Sequence, residues 1–231
     1  MPLLDLICLA NARKHSERCV ACLRIDGNGW VRLVSAASHG ELTYPQRNLA
    51  ANGEPQNFDL IRVEVLRPKP AIGQPENWLI ANAPWKLLER PAPRSLQNVL
   101  AKALHLESSL FGSHSDRIAA RFFQRTPSLG SLALLKPEEV QFRHEILGSK
   151  KRVRALFTLG QHEFNLSVTD PPFEQRIKCL EAGDYAPGEF GIRDENRLLF
   201  CASLGEPFQD GNCYKLIAGV LELPALWPAV G

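Results

Sequence analysis

The sequence has little charge of one sign to spare. It carries 27 Lys and Arg against 25 Asp and Glu, a formal net of +2 over 231 residues. That balance excludes a histone-like chain or a polybasic tail and by itself points to no partner. No apolar run approaches the ~20 residues a membrane helix needs. The start, Met1-Pro2-Leu3-Leu4-Asp5, lacks the basic segment and long apolar stretch of a secretory leader. Cysteine is sparse: Cys8, Cys19, Cys22, Cys179, Cys201 and Cys213. Without a leader these do not read as a disulfide framework, so a reducing, cytoplasmic setting with several small buried thiols is expected.

The common catalytic signatures are also missing. There is no Walker A loop, no Gly-x-Ser-x-Gly and no His-Glu-x-x-His. His114 and His162 stand alone, and Glu206 and Lys215 are separated by a turn, so no nuclease cluster is compelling. Cys19 and Cys22 have CxxC spacing, but a strand points two such thiols to opposite faces, which argues against zinc. No catalytic residue, metal or cofactor is expected.

What is present is an ordinary globular mixture, 45% hydrophobic and 23% charged, long enough for one or two domains. The near-neutral total hides a polarity. Residues 1–90 are net +2, residues 91–155 net +6 and residues 156–231 net −6. Such asymmetry marks a binding face if the blocks coincide with surface patches.

Short apolar stretches punctuated by turns predict strands at Leu3–Leu9, Cys19–Ile25, Trp30–Ser35 and Asp59–Leu66, with Gln74–Ile80 either a short strand or an ordered loop. Asp26-Gly27-Asn28-Gly29 is a hairpin signal. Ala10 to Glu17 reads as a polar turn, and Ala36 to Asn57 as a long loop. Leu96, Val99, Leu100, Ala103 and Leu104 recur at helical spacing behind a candidate N-cap, Ser95. A second strand-rich block follows, at Val140–Ile146, Val153–Leu159, Glu163–Val168, Leu198–Ser203 and Cys213–Leu223. It is interrupted by a helix at Phe173–Glu181 with Asp170 as N-cap. The fold class is therefore mainly β with minor α: two small β-barrels, OB-like, SH3-like or of another kind, joined by a helical connector. The expected domains are residues 1–90, a mostly helical connector at 91–137, and a second barrel at 138–224.

The opening Ile7-Cys8-Leu9-Ala10-Asn11-Ala12-Arg13-Lys14-His15-Ser16-Glu17-Arg18-Cys19-Val20-Ala21 resembles the start of the bacterial dual OB-containing domain proteins. So does Gly29-Trp30-Val31-Arg32-Leu33-Val34-Ser35. At the other end, Ser203-Leu204-Gly205-Glu206-Pro207-Phe208 and Cys213-Tyr214-Lys215-Leu216-Ile217-Ala218 are similar too, so the likeness spans nearly the whole chain. Cys22 departs from the family pattern, where Gly is frequent. The resemblance implies two OB-type barrels and nucleic-acid or nucleotide recognition within bacterial defence or conflict systems. It carries no established catalytic residues.

Candidate ligand groups follow from residue chemistry. Asn11, Arg13, Lys14, His15 and Arg18 cluster after the first strand, where cations beside amide donors suit a phosphate or a nucleotide edge. Trp30 and Arg32 alternate onto one face, a stacking ring with a cation. Gln74, Glu76, Asn77 and Trp78 lie in a proline-fixed loop, with Trp85 nearby, and offer base-edge contacts. Lys150, Lys151, Arg152 and Arg154 form the densest basic run, suited to phosphate. Lys215 beside Ser203–Pro207 is a further candidate. For each, a solvated turn, a core ring or a structural bend is the plain alternative.

These readings lead to a non-catalytic module whose partner is nucleic acid or a nucleotide-like ligand, with binding that weakens steeply in salt. A second reading is a protein-interaction subunit docking a partner through the acidic third and the apolar Leu223-Pro224-Ala225-Leu226-Trp227. A third is a metal-dependent enzyme on nucleic acid whose carboxylates meet only in the fold. No membrane association is expected.

Overall fold

The computed structural model describes residues 1–91, 93–192 and 197–223, and of residues 93 and 94 the backbone only. The first unit is built from β1 (Leu3–Lys14), β2 (Glu17–Arg24), β3 (Trp30–Val34), the short α1 (Tyr44–Arg47), β4 (Leu60–Pro68) and β5 (Asn77–Ile80). Strand order is β1-β2-β3-β5-β4, and β4 pairs back onto β1 to close a five-stranded barrel. β3 and β5 run parallel while the other pairs are antiparallel, which is the Greek-key OB arrangement. A further strand, β6 (Lys86–Glu89), flanks β4.

Two sequence expectations are corrected here. The segment Ala10 to Glu17 is not a polar turn: β1 continues to Lys14, paired residue by residue with β2, and only His15 and Ser16 turn. A bulge between Cys8 and Ala10 bends the strand so that it can run past the barrel. The segment Ala36–Asn57 is not all loop, since it holds α1 and a 3₁₀ turn at Ala50–Asn52.

Between the units lie α2 (Pro93–Ala103), β7 (Arg117–Ala119) and β8 (Leu132–Leu135). Residues 91–137 thus hold two short strands and a 3₁₀ turn at Ala120–Gln124 besides α2. The short apolar run Leu132–Leu135 is fully buried and pairs with the second sheet, and such runs cannot be told from buried helix by periodicity. α2 starts at Pro93, so Ser95 lies inside it rather than at its cap.

The second unit contains β9 (Glu138–Leu147), β10 (Lys150–Leu159), β11 (His162–Val168), α3 (Pro171–Lys178), β12 (Gly183–Tyr185), β13 (Leu198–Pro207) and β14 (Asn212–Glu222). Its central order, β9-β10-β11-β14-β13 with β11 parallel to β14, repeats that of the first barrel. Here β12 lines the free side of β9, and β8 the free side of β13. Asp170 caps α3, accepting from the Phe173 and Val220 amides, and the prolines occupy the first turn. Of the expected apolar tail Leu223-Pro224-Ala225-Leu226-Trp227, Leu223 is buried in the core between the units, and the rest lies outside the described residues.

Alternation explains why β1 reads as continuously apolar. Leu4, Leu6 and Cys8 face the first barrel's core with Val31, Leu33, Ile61 and Trp85. Ile7 and Leu9 face outward into a separate core between the units, against Leu199 and Cys201 of β13 and Ala218 and Leu221 of β14. α2 adds Leu96 and Leu100. β13 divides the same way, sending Leu198, Phe200 and Ala202 into the second unit. Strands buried on both faces lose their hydrophobic period. Each fully buried Leu or Ile in this shared core contributes about 1.5–3 kcal/mol, so the two units bury one another.

Candidate nucleic-acid interface

The shared core opens at one end into a cleft of about 440 Å³. Its floor is small and apolar: Ala12 and Ala21 from the first barrel, Leu216 and Ala218 from the second unit. One rim is the β1–β2 turn with Arg13, Lys14 and His15. The other is the β13–β14 turn with Phe208 and Gln209. Phe208 is 62% exposed and meets Tyr214 edge to face. Tyr214 is held from behind by Asp210 and Arg117. This is an apolar slot of ligand size with a few convergent polar groups.

The cations at this end are compensated. Arg13 makes a two-pronged contact with Glu174 of α3, at 2.8 and 3.2 Å, and its side chain is still 48% exposed. Lys14 is salt-bridged to Glu206 of β13, which also meets His39 Nδ1 at 2.8 Å. Burial opposes ionisation of Glu206, but the hydrogen bonds from Lys14 and His39 outweigh it and hold its carboxyl below the usual range.

Arg32 lies at the base and is 3% exposed. It donates to Ser203 Oγ at 3.1 Å and to Ser131 Oγ at 2.6 Å, with Glu76 3.5 Å away. Burial works against its charge, and Cys19 and Glu76 beside it keep it protonated. Glu76 in turn accepts from the Ser131 amide and hydroxyl. Gln74 donates to the Leu204 carbonyl at 3.1 Å, and Asn77 donates to Gln74 at 3.2 Å. Arg32, Gln74 and Glu76 therefore clasp the two units, with Asn77 supporting Gln74; Arg32 and Gln74 also line the cleft, Gln74 and Asn77 a neighbouring groove, and Glu76 a third beside Trp30.

The other expected residues are dispersed. Asn11 and Arg18 turn to the opposite groove, where both meet Glu54. Trp30 packs against the inter-unit core, Trp78 against the first barrel's core, and Trp85 is enclosed within it. None of the three lines the cleft. Lys215 is buried, with Nζ on the Ser113 carbonyl at 2.6 Å and over the Phe164 ring. Burial pulls its pKa down to about 8. At the β9–β10 turn, Lys151 reaches the Lys178 carbonyl and Arg154 binds Asn165 and Ser167 across the sheet. Lys150 and Arg152 are exposed, and no residue of this run lines the cleft. Cys22 is buried in the first core while Cys19 faces the cleft, so the CxxC thiols do diverge.

Phe208 and His39 were not singled out from the sequence. Phe208 lies just before the hairpin turn Gln209-Asp210-Gly211-Asn212, and a large apolar residue beside a polar turn was the available signal. His39 sits in a loop 24 residues from His15 and carried none.

Fold and cleft together define a module of one closed five-stranded OB-type barrel and a second sheet that repeats its central strand order, with a ligand-sized groove at the junction. The chain belongs to the dual OB-containing domain family, whose model matches residues 4–220. No curated protein matches the sequence. Among solved structures, a chain described under "Molecular basis for abrogation of activation of pro-inflammatory cytokines" aligns over 94% of this chain and 93% of its own, with 10% identity and a TM-score of 0.33. A murine DNA-binding protein bound with double-stranded DNA aligns over 96% of this chain and 100% of its own, with 9% identity and a TM-score of 0.32. Likeness at that level carries no argument about fold or ligand. Among the described residues, no helix is long and apolar enough to cross a membrane.

Proposed function

We propose that the protein is a non-catalytic recognition module that takes one nucleotide unit, free or within a nucleic-acid strand, into the cleft between its two barrels. One observation carries this reading. OB barrels characteristically bind oligonucleotides through the loop after their first strand and the loop between their last two strands. Here the first loop of the first barrel (His15) and the last loop of the second unit (Phe208, Gln209) converge on one cleft with an exposed aromatic.

In this reading a base stacks on Phe208 against the apolar floor, and the free edge of Arg13 meets the phosphate. Because Arg13 and Lys14 already have carboxylate partners, salt dependence at the cleft is shallow rather than steep. Steep dependence belongs to longer strands that also reach Lys150 and Arg152. The reducing, cytoplasmic setting rests on the cysteine usage of the sequence, and the bacterial defence context on the family resemblance. The test is fluorescence anisotropy with labelled mononucleotides and with single- and double-stranded oligonucleotides at low salt. Saturable binding of a mononucleotide or strand is the expected result, and absence of binding to all three overturns the proposal.

A further inference from the structure

Beside the cleft, three side chains from separate parts of the chain bring metal-binding atoms together. His15 comes from the β1–β2 turn, His39 from the loop after β3, and Glu206 from β13 of the second unit. One ligand atom of each lies within 4.8 Å of the other two. The imidazole ring centroids are 4.5 Å apart, and His39 Nδ1 lies 2.8 Å from Glu206 Oε2.

We infer that His15, His39 and Glu206 form a site for a borderline divalent metal ion of the zinc, cobalt or nickel class. Two imidazoles and a carboxylate are the donor set such ions accept, and it leaves a fourth position open. Glu206 turns one carboxylate oxygen towards His39. Lys14 occupies its other oxygen, the kind of outer contact that fixes the orientation of a ligating carboxylate. The metal takes the place of the direct His39–Glu206 contact. The exposed imidazoles give it an entry path, and the open position borders the cleft, which both histidines and Glu206 line. Since the ligands come from both units, the ion ties the first barrel to the second. The inference does not depend on nucleic-acid binding.

The test is titration of the full chain with Co²⁺, read by its visible absorption, with Zn²⁺ competition and thermal unfolding alongside. The expected result is saturation at one equivalent with a nitrogen and oxygen spectrum. Zn²⁺ should displace the Co²⁺ and raise the unfolding temperature, because it binds only the folded chain. His39→Ala and Glu206→Gln should each weaken binding by more than the roughly 10–100-fold that loss of a supporting outer partner costs. His39 is exposed, so that variant should keep the wild-type circular dichroism. No saturation at one equivalent, undiminished binding in both variants, or a thiolate charge-transfer band that vanishes in Cys19→Ser would each overturn the assignment.

Discussion

Gly219 of β14 lies against Leu9 of β1 so closely that a Cβ on the glycine would stand 2.3 Å from the Leu9 carbonyl oxygen. The obstructing atom belongs to the backbone and cannot swing aside. The pairing of the two units therefore requires a residue without a side chain at this point. Gly219→Ala should destabilise the whole chain by about 1–3 kcal/mol or more, as overpacking does. Urea unfolding measures it, and an unchanged midpoint would show that the units are not seated this tightly.

Arg32 provides the polar half of the same junction. Replacing it with Met removes the charge that Ser131, Ser203 and Glu76 are arranged around and leaves Glu76 buried without its cation. A loss of about 3–5 kcal/mol is expected, as for other broken buried pairs. Arg32→Lys should rescue little, because a single ammonium cannot reproduce the fork that spans both serines. Unfolding of the two variants beside wild type decides the matter, and stability equal to wild type in either one would contradict the clasp.

Lys215 gives the protein a pH signature. Its folded pKa of about 8 lies below the 10.5 of an ordinary lysine, so between those values the unfolded chain binds more protons than the folded one. Stability from this group therefore rises with pH, and its charging penalty is present below pH 8. From pH 7.5 to 9.5 the relief amounts to about 2 kcal/mol. The buried thiols of Cys22 and Cys201 are pushed up and act in the opposite sense, so the comparison must be with Lys215→Met. The variant should lack the rise, and equal pH slopes in the two proteins would refute the assignment.

The basic run at the β9–β10 turn should not serve the cleft. A variant with Lys150, Lys151 and Arg152 all changed to Gln should bind a labelled mononucleotide within about twofold of wild type at physiological salt, where charges more than ~8 Å away are screened. Its effect should appear with longer strands, as a smaller dependence of affinity on salt. A tenfold loss for the mononucleotide would place this turn at the cleft.

Much of this architecture was legible in the chain. The strands of both barrels, the Asp170 cap and the dual OB likeness all follow from local pattern, because each is set by neighbours within a few residues. The junction was not legible. Arg32 and the Gln74–Trp78 loop have the chemistry of a binding surface, and nothing local distinguishes a cation aimed at solvent from one aimed at Ser131 and Ser203. The cluster from Asn11 to Arg18 looked like one site because it was read as a turn. As the hairpin of β1 and β2 it sends Asn11 and Arg18 to one groove and Arg13 and Lys14 to the cleft. The short β7, β8 and β12 exist only because longer strands lie beside them.

The measurement that bears most directly on the cleft is the affinity of a short labelled single strand for wild type and Phe208→Ala, taken across a salt series. Stacking of a base on Phe208 contributes about 1–3 kcal/mol, so the variant should bind about 5- to 150-fold more weakly at every salt concentration while the salt slope stays the same. Equal affinity of the two proteins, or a slope that changes with the loss of this uncharged ring, would contradict recognition in the cleft.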